Sequence, residues 1–363
     1  MNRRDFLQST GLAFAGLTLG RGESLFAQNP SSEGWRTFEV TTRAEVLRPA
    51  GATKVWLPAA LIKNTEFQRT ISNRFTADGG EVRMVKSNDP ADLGIVVGTF
   101  PASAKPVLTL TSHVSLKNYS VDLSKPSNVR PASKAEMQYF LQPHKNVPTD
   151  GLVKAKATEI TKGASTDVEK ARAIYDWIVD NTFRDPKVKG CGRGDISAML
   201  ETGYLGGKCA DLNALYVGLA RASGLPARDV YGIRVAKSEM GYKSLGASLE
   251  KVTKAQHCRA EVYLTQFGWA PVDPADVRKV VLEEPPGNRP LSDEMVASAR
   301  KRLFGSWEMN WMAYNFAQDV ELPGSSGTTL PFLMYPQAQT AEGTLDSLDP
   351  DNFKYEITAR ELS

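Results

Sequence analysis

The sequence has few of the residues from which metal and disulfide sites are built, with three cysteines and three histidines in 363 residues. It contains no Cys/His spacing typical of zinc sites and no dinucleotide-binding fingerprint, so it implies no metal and no cofactor. No apolar run approaches the roughly 18 residues that span a membrane. The net charge is only +3, which gives no support for a nucleic-acid partner.

The N-terminus has the features of an export signal. Arg3 and Arg4 lie in a segment, residues 2–8, that resembles the twin-arginine motif. A mildly apolar stretch follows at 12–19, and residues 25–27 offer a cleavage site. We therefore expect a signal peptide over 1–27, the twin-arginine export machinery as a partner, and a bacterial periplasmic location.

The length of the chain suggests two domains, with three as the alternative. Residues 34–125 contain several short runs in which apolar and polar side chains alternate, separated by Pro, Gly, Asn and Asp. This period of two is typical of strands with one buried face and favours an all-β sandwich domain. Residues 126–150 are rich in Pro, Ser, Lys and Asn and are interpreted as a linker.

A glycine turn followed by Cys209 opens a helical pattern. The apolar side chains that follow fall at helical spacing: Leu212, Leu215, Tyr216 and Leu219. This spacing predicts a helix with one buried face and with Cys209 in its first turn. A thiol there titrates at roughly 3.5–7.5 instead of about 8.5, because unpaired backbone N–H groups favour the thiolate. The alternative is a small buried apolar residue.

Two further runs predict a hairpin that carries a histidine and an aspartate. Alternation over 256–264 places His257 with charged residues on one face and Cys258 with apolar residues on the other. A hairpin reflected about Thr265 places His257 opposite Asp273, with Cβ atoms roughly 4.5–5.5 Å apart. A register error of one residue would separate the two side chains onto opposite faces.

Cys209, His257 and Asp273 form a candidate catalytic constellation. Cys209 would be the nucleophile, His257 the base and then the acid, and Asp273 the group that orients the imidazole. At this point the chain resembles the transglutaminase-like superfamily. The matching segments are 207–211, 219–228, 257–264 and 268–274.

The resemblance covers roughly residues 150–280 and implies an α+β fold. Its papain-like core would be a cysteine helix packed on an antiparallel sheet, preceded by the all-β sandwich. We place the catalytic core at 151–280 and expect 281–363 to extend it as a C-terminal α/β segment. The aromatic residues of 304–335 would either line a cleft or pack as a β layer.

Two positions near the triad remain open at this level. Many members carry a tryptophan two residues after the histidine, where this chain has Arg259. Arg259 would receive an anionic substrate or pair with Glu261, and the missing tryptophan favours hydrolysis over crosslinking. No Gln or Asn precedes Cys209 closely enough to complete an oxyanion hole, so Tyr204 is the candidate donor, with packing as its alternative role.

The remaining cysteines and the reaction are also undecided. Cys191 and Cys258 would form a disulfide after export, or Cys258 would be a buried free thiol. The superfamily contains peptidases, amidases, acyltransferases and inactive members. We expect a thiol hydrolase acting on a protein, a peptide or a small amide through an acyl-enzyme. The alternatives are a transglutaminase that joins Gln and Lys side chains and a non-catalytic binding module.

Overall fold

The computed structural model describes residues 34–126, 131–247, 250–327 and 329–362. The expected signal peptide, residues 1–27, lies outside the described residues. No helix within the described ranges combines the length and the apolar character needed to cross a membrane.

The elements follow one another as strands, then mixed helices and strands, then strands again. The helices are α1 (Lys134–Tyr139), α2 (Gly151–Ile160), α3 (Asp167–Asn181), α4 (Ile196–Thr202), α5 (Cys209–Ala222), α6 (Pro274–Glu283) and α7 (Glu294–Arg302). The strands are β1 (Trp35–Val46), β2 (Thr53–Pro58), β3 (Gln68–Asp78), β4 (Glu81–Lys86), β5 (Gly94–Phe100), β6 (Val107–Lys117), β7 (Tyr119–Ser120), β8 (Phe183–Arg184), β9 (Gly206–Gly207), β10 (Ala227–Arg234), β11 (Glu250–Lys251), β12 (Gln256–Leu264), β13 (Gly268–Val272), β14 (Ser306–Trp307), β15 (Trp311–Asn315), β16 (Gln318–Val320), β17 (Leu330–Phe332), β18 (Gln337–Thr340), β19 (Gly343–Thr344) and β20 (Phe353–Leu362).

The strands β1 to β6 form the larger part of an all-β region of two five-stranded sheets, in agreement with the alternating pattern. One sheet has the order β11-β20-β1-β6-β3 and the other β19-β18-β2-β5-β4. Their facing side chains share one apolar cluster, which includes Leu57, Val96, Phe100, Leu108 and Phe353. The fold is therefore α+β with an all-β region ahead of the mixed core.

The C-terminal strands differ from the predicted boundary. β20 pairs antiparallel with β1 along its whole length, from Val46↔Phe353 to Thr37↔Leu362, and β18 pairs with β2. The expectation that all of 281–363 extends the catalytic core is wrong for these strands, which complete the sandwich. The alternation in 353–360 predicts a strand, but a strand pattern carries no information about its distant partner.

The segment predicted as a linker, residues 126–150, is partly integrated into the core. It contains α1, and Phe140 and Val147 are 1% and 2% exposed. The Phe140 ring packs edge-on against Trp269 with centroids 5.3 Å apart. The polar composition is misleading here because two apolar anchors suffice to fix a short segment.

The mixed core is a four-stranded antiparallel sheet of order β13-β12-β10-β15 that carries α5 against it. All of α5 is buried, from Cys209 to Ala222. The predicted one-sided helix is wrong in this respect, since α2, α3 and α6 cover the face away from the sheet. Because α5 is enclosed on every side, it holds Cys209, the residue at its N-terminus, in a fixed position.

Phe353→Ala tests the assignment of β20 to the sandwich. The Phe353 side chain is 1% exposed within the sandwich core, so its truncation is expected to lower the free energy of unfolding by about 3–5 kcal/mol. Urea unfolding measures this, with the exposed neighbour Lys354→Ala as the matched control, expected within about 0.5 kcal/mol of the parent. Equal small effects of both variants would contradict the assignment.

Candidate active site

Cys209 is the first residue of α5 and is 4% exposed. The next N–H of the helix, that of Ala210, donates to the Cys191 carbonyl oxygen at 2.9 Å. The Cys209 N–H has no acceptor among the described residues, as is expected for the first turn of a helix. The sulfur therefore lies beside an available backbone donor and the positive end of the α5 dipole.

Asp211 ties the glycine-rich loop before α4 to the start of α5. Its Oδ1 accepts the N–H groups of Arg193 and Gly194, both at 2.9 Å, and its Oδ2 accepts that of Lys208 at 2.9 Å. Gly192 has φ +97°, and a Cβ there would lie 1.9 Å from the Asp211 carboxylate. The loop therefore requires glycine at this position, and the resulting turn holds Cys191 against Cys209.

The structure brings His257 and Asp273 together. His257 lies on β12, and its Nε2 is 2.8 Å from Asp273 Oδ2. This leaves Nδ1 for the side of the ring that contacts Cys209. Asp273 is the N-cap of α6, with Pro274 at the first helical position, and its Oδ1 accepts the Asp276 N–H at 3.0 Å. An N-cap aspartate before proline is a common helix start, so local sequence fixes this carboxylate.

The contact arises by a different hairpin register from the one predicted. β12 and β13 pair as Ala260↔Val272 and Leu264↔Gly268, so the turn is centred on Gln266 and not on Thr265. Relative to the predicted hairpin, each residue of β12 is paired with a residue two positions later in the chain. A shift of two leaves every side chain on the face of the sheet that was predicted for it. Asp273 then follows the last paired residue and reaches His257 diagonally.

Sequence reasoning missed a second carboxylate and its partner. Asp276 Oδ1 lies 3.4 Å from His257 Nε2. Arg234, at the end of β10, donates from Nη2 to both Asp276 oxygens at 2.6 and 2.8 Å. An acidic residue in the first turn of α6 is a local signal for Asp276, but no local pattern points to Arg234.

These buried charges set the protonation of the candidate pair. Burial alone would lower the pKa of His257, but Asp276 and Asp273 outweigh it and raise that pKa to about 10. Hydrogen bonds from Cys191 and Cys258, together with His257, hold the pKa of the Cys209 thiol well below its usual value. The two shifts together favour a thiolate and an imidazolium as the charge state of the pair.

All three cysteines are free and buried, and they meet at Cys209. The Cys191 thiol has one proton and two alternative acceptors for it, the Gln256 carbonyl oxygen at 3.3 Å and the Cys209 sulfur. Cys258 has no exposed surface and contacts Cys209 as well. Of the two alternatives for Cys191 and Cys258, the described residues show free buried thiols and no disulfide, and both thiols lie beside the Cys209 sulfur with raised pKa values.

Arg259 is placed behind the histidine and does not line the cleft. It is 2% exposed, and its guanidinium lies 4.8 Å from the Trp311 ring centroid and 5.4 Å from that of Trp307. Its Nε is 3.7 Å from Asp273 Oδ2. Pairing with Glu261 is wrong, because Glu261 accepts from Arg228 at 2.7 Å. Arg259 thus adds positive charge beneath the Asp273 carboxylate.

Tyr204 is not among the residues that line the cleft at Cys209, whereas Gln256 is. The Tyr204 side chain is 53% exposed, and its hydroxyl donates to Asp185 at 2.8 Å. Gln256 precedes His257 and lines the same cleft as Cys209, and its side-chain amide nitrogen is buried without an acceptor among the described residues. Its position beside the histidine gave no signal in the sequence.

Cys209 and His257 open onto a cleft of about 570 Å³. Its walls include the loop at Cys191, the start of β12, and the side chains of Tyr335 and Tyr355. The other aromatic residues of 304–335 mostly pack as a buried layer, with Trp311 fully buried under the sheet.

One group of described residues has its possible metal-ligand atoms close together. It consists of His257, Asp273 and Asp276, whose ligand atoms all lie within 4.8 Å of one another. Their donors are already engaged, since Nε2 bonds Asp273 and Arg234 bonds both oxygens of Asp276. A cation would have to displace the Arg234 guanidinium. The group is better suited to holding a protonated imidazole.

Comparison with known proteins identifies the family of this chain. Residues 154–274 match the model of the transglutaminase-like superfamily. An uncharacterized protein of Haemophilus influenzae is 33% identical over 350 residues, which cover 90% of this chain and 91% of the relative. The chain belongs to the transglutaminase-like superfamily.

Solved structures show similarity at the level of the fold. A Cytophaga hutchinsonii protein titled "Putative Cysteine Protease" superposes with a TM-score of 0.51 at 16% identity, covering 90% of this chain and 98% of its own. The periplasmic domain of TgpA from Pseudomonas aeruginosa gives a TM-score of 0.36 at 16% identity, covering 68% and 88%.

A pH titration of thiolate absorbance tests the charge assignment. Because the folded pKa of Cys209 is depressed, its thiolate signal is expected to persist well below the roughly 8.5 at which a free thiol titrates, and to disappear on further acidification. Cys191 and Cys258 have raised pKa values and stay protonated there, so Cys209→Ala is expected to abolish the signal. A signal that emerges only above about pH 8.5, as in a free thiol, would contradict the assignment.

Two variants of Cys191, measured in the same titration, separate the effect of its hydrogen bond on the Cys209 thiolate from the effect of its packing. Cys191→Ala removes the donor and is expected to move the Cys209 midpoint to higher pH. Cys191→Ser keeps an O–H donor and is expected to move it less. Equal shifts in the two variants would mean that the Cys191 proton does not stabilise the thiolate.

Proposed function

We propose that this protein is a thiol hydrolase that cleaves an amide or peptide bond through a Cys209 acyl-enzyme, with His257 and Asp273 as its partners. The observation that carries the proposal is the 2.8 Å contact between His257 Nε2 and Asp273 Oδ2, with the other edge of the ring at the Cys209 sulfur. A nucleophile and a proton carrier thereby face one cleft, and an orienting carboxylate is buried behind the proton carrier.

Acylation uses the preformed ion pair. The Cys209 thiolate attacks the carbonyl carbon, and the C–S bond forms as the carbonyl π pair moves to oxygen. The collapse of this tetrahedral intermediate breaks the C–N bond, and the protonated His257 gives its Nδ1 proton to the leaving nitrogen. The amine departs, and a thioester and a neutral imidazole remain.

Deacylation reverses these roles. Neutral His257 takes a proton from water, whose oxygen attacks the thioester carbonyl. The C–S bond breaks, Cys209 leaves as the thiolate, and His257 is again an imidazolium. Asp273 and Asp276 stay ionised throughout, since the proton moves only between Nδ1, the water and the amine. The sum is one amide and one water converted to one acid and one amine.

The oxyanion is stabilised by the Cys209 N–H and by the Gln256 side-chain amide. The first is the free N–H at the start of α5, and the second is a buried donor without an acceptor among the described residues. Donors of this kind act on charge that develops only in the transition state. This role replaces the one expected for Tyr204, whose hydroxyl is engaged by Asp185.

We also propose export to the periplasm by the twin-arginine machinery. The support is the Arg3-Arg4 motif and the apolar stretch after it. Changing both arginines to lysine is expected to retain the chain in the cytoplasmic fraction, which immunoblotting of fractionated cells measures. Unchanged periplasmic recovery of the double variant would contradict this route.

Peptide mass spectrometry tests the reaction. A periplasmic extract incubated with the native protein is expected to yield new peptide termini or deamidated side chains, all absent with Cys209→Ala. A fluorescent primary amine is added in a parallel arm, because an acyl-enzyme resolved by amines would label proteins. Amine incorporation without hydrolysis would identify a transglutaminase instead. If neither arm showed a change that depends on Cys209, the protein would be a non-catalytic binding module.

Gln256→Ala tests the oxyanion assignment once a substrate is in hand. Loss of one such donor is expected to lower kcat about 10²–10³-fold with little change in KM. Tyr204→Phe is the control, expected to keep kcat within about twofold. A larger loss in Tyr204→Phe than in Gln256→Ala would reverse the assignment.

A further inference from the structure

The cleft in front of Cys209 is lined by charges of one sign. Apart from the Cys209–His257 pair, every ionised side chain that lines it in the described residues is a cation. These are Arg184, Lys189, Lys208, Arg234, Lys251, Lys254 and Lys279. No aspartate or glutamate is among the lining residues, although the whole chain is nearly neutral, with 44 basic and 41 acidic residues.

Neighbouring carboxylates neutralise this charge only in part. Arg234 is paired with the buried Asp276, but Arg184 and Lys279 share the single carboxylate of Glu283. Lys208 and Lys254 make no ion pair with any described residue. The cleft therefore keeps a net positive charge.

The other pairs lie at the rim and are weak. Lys189 contacts Asp346, whose side chain is 53% exposed, and Lys251 contacts Glu356, which is 47% exposed. Ion pairs that exposed contribute little stability and are screened by salt. An anion entering the cleft can compete for these two ammonium groups.

The unpaired cations belong to the two segments that carry the reacting groups. Lys208 is the residue before Cys209, so its ammonium extends from the wall that carries the nucleophile. Lys254 also lines the cleft and lies shortly before the strand that carries His257. A chain whose carbonyl carbon sits at the sulfur would therefore enter a cleft with two unpaired cations in its lining.

We propose that the substrate is an acidic peptide, with carboxylate side chains close to the scissile amide. This rests on the proposed hydrolase function, since it assumes that an acyl group reaches Cys209. A peptide supplies both the amide and the carboxylates in one molecule. The fixed positive potential also raises the rate of encounter with such a chain.

A binding measurement on the Cys209→Ala protein tests the proposal without turnover. The probes are a fluorescently labelled peptide of alternating alanine and glutamate and the same peptide with glutamine. Fluorescence anisotropy is expected to show the glutamate peptide binding tighter by about fivefold for each carboxylate held at low salt. The preference is expected to shrink as salt is raised. Equal affinity of the two peptides would overturn the proposal.

Variants locate the effect within the cleft. Lys208→Met combined with Lys254→Met is expected to remove most of the preference for glutamate, whereas the exposed Lys301→Met, outside the cleft, is expected to retain it. If Lys301→Met alone lost the preference for glutamate, the preference would come from the overall charge of the protein, and the proposed cleft site would be overturned. Displacement of the peptide by an oligonucleotide of equal charge would overturn the assignment to peptides.

A turnover arm separates this proposal from the proposed function. A mixture of peptides from a digested proteome is incubated with the native protein, and cleavage sites are read by mass spectrometry. Sites enriched in Asp and Glu support both proposals. Cleavage without that enrichment contradicts the acidic specificity alone, and glutamate-selective binding without Cys209-dependent cleavage contradicts the hydrolase alone.

Discussion

The site depends on the buried charge balance around His257. Two carboxylates, Asp273 and Asp276, approach Nε2 at 2.8 and 3.4 Å, and both have essentially no contact with solvent. Arg234 and Arg259 lie on the far side of these carboxylates. With His257 protonated, these five groups carry one excess positive charge, and the Cys209 thiolate cancels it. An uncompensated buried charge is costly, so the ionised sulfur is the state that the surroundings favour.

The secondary-structure elements of the core hold each group of this cluster in a fixed position. The enclosed helix α5 fixes the sulfur, the central strands β10 and β12 supply Arg234 and His257, and the start of α6 supplies both carboxylates. Asn213, one turn after Cys209, donates to the Cys258 carbonyl oxygen at 2.8 Å and to Asp273 at 3.3 Å, which joins helix, strand and carboxylate. Because each side chain comes from a packed element, the charges cannot relax apart.

The sequence allows the local parts of this arrangement to be predicted, but not the contacts between distant parts. A cysteine after a glycine turn, a histidine on an alternating strand and an N-cap aspartate are local patterns, and they identify the residues that meet. The hairpin register was displaced by two residues, and only the period of two kept Asp273 on the correct face. Arg234, Gln256 and the cation-lined cleft depend on tertiary packing, which local periodicity does not encode. The pairing of β20 with β1 joins the two ends of the chain and is hidden for the same reason.

Nuclear magnetic resonance of the His257 ring, with ¹⁵N-labelled histidine, tests the central claim most directly. The account predicts ring nitrogen shifts typical of an imidazolium at neutral pH, with deprotonation only near pH 10. Asp276→Asn removes one of the two carboxylates and is expected to bring the midpoint down. A ring in the native protein that titrates near pH 6.5, as a free histidine does, would contradict the buried ion pair and the chemistry derived from it.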